Sequence, residues 1–353
     1  MQILVLGMHR SGTSLVTRLV NMMGAYFGPE GVQIGPNPQN PKGFWERRDV
    51  RQLNDEAIHL LDSEWDDIID LDLDNFGPHR EAWNAKARRI VSELDAHRPW
   101  VVKEPRFCFL LPLWRPLLEV PLCVHVYRHP IQVAQSLKVR KGLPIHLGVA
   151  LWEKYVLSAL EASRDLPCLN VSHESFFKDP FEATRSIHRF LVSRGAPMLR
   201  LPAAREIETF VDVELFHHRG GAELESFFLN ASQKDLLARL RDGGSRDLPA
   251  LSLSSEEILR ERRVQRKQLR ERRNSAKGSS ASPGSFSRRV SPTRPPRIKR
   301  WPPNARNSRM NLWRRLKSML WNCRTAAPNS NTSRLNAHRR SKRIASFGLG
   351  SGG

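Results

Sequence analysis

Short apolar runs alternating with helix-length amphipathic segments constrain this chain more than any other feature of its sequence. "QILVL" (2–6), "WVVK" (100–103), "LCVHVY" (122–127) and "CLNV" (168–171) read as strands. Around them lie helical segments at Ser14–Met23, 47–62, Glu81–His97, the proline-bent stretch 108–118, a helix opened by Pro130, 145–164 and 180–194. In 47–62, for example, Val50, Leu53, Ala57, Leu60 and Leu61 recur at helical spacing. Strands this short, joined by helices, predict a parallel sheet with crossover helices and hence an α/β fold. Such sheets bind ligands beyond the carboxyl ends of their strands. Three motifs fall at that place, after strands 2–6, 100–103 and 122–127.

Composition bounds the rest. The chain has 353 residues and a hydrophobic fraction of 40%, enough for a real core. Its formal charge of +21 would suit a nucleic-acid binder, but 20 of the 57 Lys and Arg follow Glu271, and none of the 36 acidic residues does. The body is nearly neutral, so no specific nucleic-acid partner is expected. Cys108, Cys123, Cys168 and Cys323 show no metal-ligand spacing and read as buried thiols of a reducing compartment. The most apolar stretch, "FCFLLPLWRPLLEVPLCVHV", is broken by Arg115, Glu119 and prolines, which argues against a membrane span and for a cytoplasmic protein.

The expected organisation is a catalytic domain over 1–245, a charged helical linker over 246–273 and a basic low-complexity tail over 274–353. Within 200–250 the reading is a packing helix and loop. In 254–273 it is a helix capped by Ser254 or Ser255, with Ile258, Leu259, Val264 and Leu269 to bury. The tail holds Ser, Pro, Arg and Asn without carboxylates and is expected to be disordered.

"ILVLGMHRSGTSLVTRL" (3–19) is a strand, a glycine-bounded turn and the start of a helix. Such a turn points free backbone N–H groups outward, where the helix dipole also favours an anion. Gly7 and Gly12 carry the spacing of a nucleoside-triphosphate loop, with Thr13 at its lysine position. The cation is instead Arg10, inside the turn, with Thr13 and Ser14 as hydroxyl donors. A guanidinium there can give two parallel hydrogen bonds to a phosphate or sulfonate.

"GMHRSGTSLVTRL" resembles the 5′-phosphosulfate loop of sulfotransferases that use 3′-phosphoadenosine-5′-phosphosulfate, in the arginine version associated with glycan and protein sulfation. The resemblance covers about residues 1–220. It implies a P-loop-like three-layer α/β fold with a central parallel sheet, and a donor bound without metal by Gly7, His9, Arg10, Ser11, Gly12, Thr13 and Ser14. It also implies a second anion site. In "YRHPIQVAQS", Arg128 at a strand end and Ser136 eight residues later match the family's 3′-phosphate signature. "WVVKEPRF" places Lys103 where a lysine neutralises charge on the reacting sulfonate, and Pro105 where cytosolic relatives carry a histidine base. Arg106 adds a second cation for donor or acceptor.

A different base is therefore needed, and the resemblance points to a glutamate after the first helix. Glu46, in "NPQNPKGFWERRDV", is preferred to Glu30 because Phe44 and Trp45 are expected to desolvate it. His9, His59 and His129 are the remaining candidates. "VSHESFFKDPFEA" resembles a family strand–loop–helix segment in which Asp179 caps a helix starting at Pro180. The activity implied is sulfuryl transfer to a hydroxyl, with Arg10, Lys103 and Glu46 at the reacting end and a glycan as the acceptor the resemblance favours over a tyrosyl-protein or lipid-linked one.

Two other readings compete. A P-loop nucleotide kinase needs a lysine at position 13 and an acidic strand end for magnesium, where this chain has Thr13, Lys103 and Arg128. A polyanion or membrane-surface binder would act through "RRVSPTRPPRIKRW" and "LWRRLKSMLW" (312–321). The tail's abrupt onset equally suits an unselected, frame-shifted extension.

Overall fold

Four parallel strands form the central sheet of the computed structural model, which describes residues 1–35, 43–211, 228–243 and 247–279. They are β1 (Gln2–Leu6), β2 (Trp100–Lys103), β3 (Pro121–Tyr127) and β4 (Cys168–Ser172), in the order β2-β1-β3-β4. The chain leaves β1 for one side of the sheet and returns to the other with β3, so β1 and β3 flank the topological switch point. Ligand crevices of open α/β sheets lie there, outside the strands' carboxyl ends.

Strand alternation supplies a core on each face. Ile3, Val5, Val101, Leu122 and Val124 point to one side, against Val16, Leu19 and Val20 of α1 (Thr13–Met22) and Ile187 and Leu191 of a later helix, Pro180–Ser193. Leu4, Leu6, Val102 and Cys123 point to the other. They meet α2 (Arg48–Leu60), α3 (Arg80–Asp95), α4 (Phe107–Trp114) and α6 (Ile145–Ala162), while α5 (Pro130–Lys141) follows β3. Three layers result, as expected. The proline-bent stretch is α4 followed by a 3₁₀ turn at Arg115–Leu117.

After β4 come α7 (Ser175–Lys178), α8 (Pro180–Ser193), α9 (Ala204–Phe210), α10 (Ala231–Arg241) and α11 (Leu253–Ser279). Asp179 caps α8 by accepting from the Glu182 backbone N–H at 2.8 Å. Cys108 and Cys123 are buried and Cys168 half-buried. All described residues belong to one compact unit, Met1–Ser282. Cys323 and the tail from residue 280, with its expected disorder, lie outside the described residues.

The charged helix differs from its expectation in three ways. It begins at Leu253, so Ser254 and Ser255 sit inside its first turn and are not its cap. Its start is held by the buried Glu153 carboxylate of α6, which accepts from Ser252 N–H, Ser252 Oγ, Ser255 Oγ and Gln233 Nε2 at 2.6–2.8 Å. Leu259 is buried, but Val264 and Leu269 stay exposed. The helix also continues past Asn274 to Ser279.

Its arginines supply the anchorage that apolar side chains do not. Arg262 and Arg266 each reach Asp66 at 2.5 Å, and Arg263 and Arg270 each reach Asp67 at 3.0 Å. Both aspartate side chains are fully buried. The segment carrying them includes Trp65, which lies against the cleft described next. No described helix is long and apolar enough to cross a membrane.

Candidate active site

The turn between β1 and α1 is shaped by two glycines. Gly7 has φ +143°, and a Cβ there would lie 2.4 Å from the Val126 carbonyl oxygen of β3. Gly12 has φ +92°, and its Cβ would meet the His173 ring at 2.1 Å. Arg10, at the apex, also takes the left-handed region, with φ 71°. For a residue with a side chain that costs roughly 1–3 kcal/mol and must be held by its surroundings. Gly12 is the N-cap of α1 and gives no side-chain cap, so no side chain blocks the helix's first N–H groups. Ser14 Oγ donates to the Phe44 carbonyl at 2.7 Å, so the proton expected to face an anion is already committed. Ser11 and Thr13 are buried beside it.

The end of β3 brings the second cation to the same place. Arg128 Nε donates to Gln132 Oε1 at 3.0 Å, and its Nη1 donates to the Arg10 carbonyl at 3.3 Å. Arg10 Nε donates to Ser136 Oγ, on α5, at 2.8 Å. The loop arginine, strand-end arginine and helix serine therefore converge, although more than a hundred residues separate the loop from the other two. Pro130 stands in the first turn of α5, and the His129 side chain caps it by accepting from Ile131 N–H at 3.3 Å. Among the described residues the Arg10 guanidinium meets no carboxylate.

At the end of β2, the buried Lys103 Nζ donates to Glu46 Oε1 at 2.6 Å and to Ser14 Oγ at 3.3 Å. Glu46 is buried to 9% exposure and lines the cleft, whereas Glu30 and His59 are exposed elsewhere. Trp45, with φ 49°, makes the sharp turn that precedes Glu46. The aromatic pair is oriented differently from the sequence expectation. Trp45 lies under Arg18 and Phe44 under Arg140, and the group directly against Glu46 is Lys103.

Burial and these cations together shift His9, Arg10, Arg128 and His173. Burial, with Arg140 adding to it, lowers Arg10 from the usual arginine range. Burial, then the charge of Arg10, brings Arg128 down to about 10, with Glu174 opposing. His173 is held well below the usual histidine range by burial and then by Arg128 and Arg10. His9 is likewise held well below, by burial and then by Arg106, Lys103, Arg140 and Arg51. Its ring packs edge-on against Trp65 at 5.0 Å and Tyr155 at 5.8 Å. The cleft is thus strongly electropositive, a setting that lowers the free energy of a bound anion.

His9, Arg10, Gly12, Thr13, Ser14, Glu46, Lys103 and Arg128 line this cleft; Ser136 reaches it only through Arg10, and Gly7 and Ser11 are not in its lining. The structure also shows residues that the sequence did not single out. Glu104 is fully buried, accepts from Asn54 at 2.8 Å and pairs with Arg106, whose other end pairs with Asp55. Arg106 is therefore neutralised by two acids and is not a spare cation. His173 closes the cleft behind Gly12. The Lys-Glu-Pro-Arg string holds Glu104 and its partner Arg106, but Asn54 and Asp55, which complete the cluster, come from α2, far away in sequence. Nothing local marks His173 as a neighbour of the loop.

A family model described as "Sulfotransferase family" matches residues 2–193. Among solved structures, sulfotransferase STF9 from Mycobacterium avium aligns with 16% identity and a TM-score of 0.38, covering 70% of this chain and 77% of that one. The sulfotransferase domain of the Synechococcus PCC 7002 olefin synthase aligns with 17% identity and a TM-score of 0.34, covering 73% and 92%. No curated protein matches the chain.

Proposed function

Because the chain belongs to the sulfotransferase family, we propose that it moves the sulfuryl group of 3′-phosphoadenosine-5′-phosphosulfate to an acceptor hydroxyl, with a carbohydrate as the acceptor class. The observation that carries the choice of donor is the meeting of Arg10, Arg128 and Ser136 at the switch point. Two arginines drawn together there, with no carboxylate on Arg10, fit a ligand with phosphate at both ends. In this reading the Gly7–Ser14 turn, with His9 and Arg10, takes the 5′-phosphosulfate, and Arg128 and Ser136 take the 3′-phosphate.

The donor supplies a sulfuryl group whose leaving group is adenosine 3′,5′-bisphosphate. The chain's own residues hold it, place the acceptor and move one proton. Sulfuryl transfer, like phosphoryl transfer, draws most of its acceleration from positioning and charge stabilisation. Lys103 stabilises the negative charge that grows on the bridging oxygen. Glu46 takes the proton of the attacking hydroxyl, and the Lys103 ion pair holds its carboxylate at the reacting end. His9, kept neutral by burial and four cations, is a poor proton acceptor and serves as a wall.

Transfer of radiolabelled sulfate from the donor to a panel of sugars tests the reading. Glu46→Gln should keep adenosine 3′,5′-bisphosphate binding and lower turnover by roughly 10²–10⁴-fold. Retained turnover in that variant removes Glu46 as the base. Transfer from ATP in place of the sulfated donor overturns the reading altogether.

A further inference from the structure

Beyond the donor anchors, the cleft continues into a second chamber of about 240 Å³, room for one sugar ring. His9, Arg10, Phe44, Glu46 and Arg140 line both chambers, so the proposed base faces the second one as well and the two are continuous. Its walls carry Arg10, Arg51, Arg106, Arg140 and Lys141, and among the described residues Glu46 is its single acidic lining residue.

Pairing decides which of these charges remain uncompensated. Glu46 is matched by Lys103, and Arg106 by the buried Glu104. Asp55 is shared between Arg106 and Arg51, the latter at 3.6 Å. Among the described residues, Arg140 and Lys141 meet no carboxylate at all. Both stand in the last turn of α5, where the helix dipole accounts for a few tenths of a kcal/mol of preference for cations. It does not account for Arg140 lying over the Phe44 ring, 5.1 Å from its centroid, at the wall of the chamber. There its charge is felt by both His9 and Arg10.

We infer that the acceptor is itself anionic: a hydroxyl-bearing sugar that also carries a carboxylate or sulfate, which Arg140 and Lys141 bind while Glu46 receives the hydroxyl proton. The inference rests on the proposed sulfuryl-transfer reading and narrows its acceptor class. An oxyanion there would replace hydration by charge-assisted hydrogen bonds from two cations that meet no carboxylate among the described residues. A neutral sugar would leave both cations facing it with nothing to neutralise them. Arg140, which borders both chambers, and Lys141, which lines the second one alone, are then specificity-determining residues for the acceptor.

The test is equilibrium binding to protein saturated with adenosine 3′,5′-bisphosphate, using methyl glucuronide against methyl glucoside, and N-acetylglucosamine 6-sulfate against N-acetylglucosamine. The charged member of each pair should bind tighter by about tenfold, and the difference should collapse in Arg140→Ala/Lys141→Ala. Preference for the glucuronide alone or the sulfated sugar alone identifies which oxyanion is recognised. Equal binding within both pairs, or no sugar binding while the nucleotide still binds, overturns the inference and leaves the donor reading intact. A double variant that loses the nucleotide yet keeps the sugar difference assigns the two cations to the donor and also overturns it. If the nucleotide itself does not bind, the donor reading has failed, and the inference falls with it.

Discussion

Arg10 concentrates the chemistry of the site in one residue. It sits in a left-handed conformation, its Nε is tied to Ser136, and no carboxylate among the described residues neutralises it. The turn keeps that shape because Gly12 admits the His173 ring where any side chain would collide. Gly12→Ala should therefore cost about 2 kcal/mol in urea unfolding and weaken nucleotide binding. Gly24→Ala is the control, because Gly24 also has a positive φ, +109°, but nothing lies within 4 Å of its added Cβ. It should show the backbone cost alone; equal losses in both variants would mean that the His173 contact contributes nothing. Lys103→Ala should lower turnover by roughly 10²–10³-fold if it stabilises the developing charge. A normal kcat in that variant, with turnover measured at saturating donor, would contradict the role. Arg10, Lys103 and Arg128 were legible in the sequence because each stands in or beside a strand end, and the family resemblance gave those positions their roles. Glu104 and His173 were not, and Arg106 was read as a spare cation, because Asn54 and Asp55 of α2 and the approach of His173 to Gly12 come from other elements.

Strand ends do the positioning at the scale of elements. β1, β2 and β3 deliver the loop, Lys103 and Arg128 to one edge of the sheet, and α5 starts from the last of these. The alternation of short apolar runs and amphipathic helices made these elements readable, with boundaries shifted by a residue or two. The same strands also bury titratable groups. His125, on β3, is fully buried, bonded through Nδ1 to Asn170 at 2.9 Å, and brought down to about 4 by burial. An unfolded histidine titrates near 6.5, so between pH 6.5 and 4 the unfolded chain binds the extra proton. Stability should rise with pH through that window and fall as the pH drops. His125→Gln should shrink the difference in unfolding free energy between pH 7 and 4.5 by roughly 2 kcal/mol. Urea titrations at the two pH values measure it, and an unchanged difference would show that His125 is not the group being protonated.

Across the whole molecule, the C-terminal helix is held to the body by charge more than by apolar contact. Its arginines enclose two buried aspartates some two hundred positions earlier in the chain. No local signal could pair 62–70 with 262–270, so the sequence offered a charged helix with too little to bury. Asp66→Ala, which leaves Arg262 and Arg266 without their shared partner, should cost about 3 kcal/mol. Val264→Ala, on the exposed side, should stay within ~0.5 kcal/mol. Denaturant midpoints compare them, and equal effects would mean that the ion pairs do not fasten the helix. The central claim, a donor with two phosphate ends held at the β1–β3 switch point, is tested most directly by calorimetric titration without magnesium. Adenosine 3′,5′-bisphosphate should bind in preference to ATP, and Arg128→Ala should weaken it by roughly a hundredfold or more. Preference for ATP, or undiminished binding in Arg128→Ala, would contradict the account.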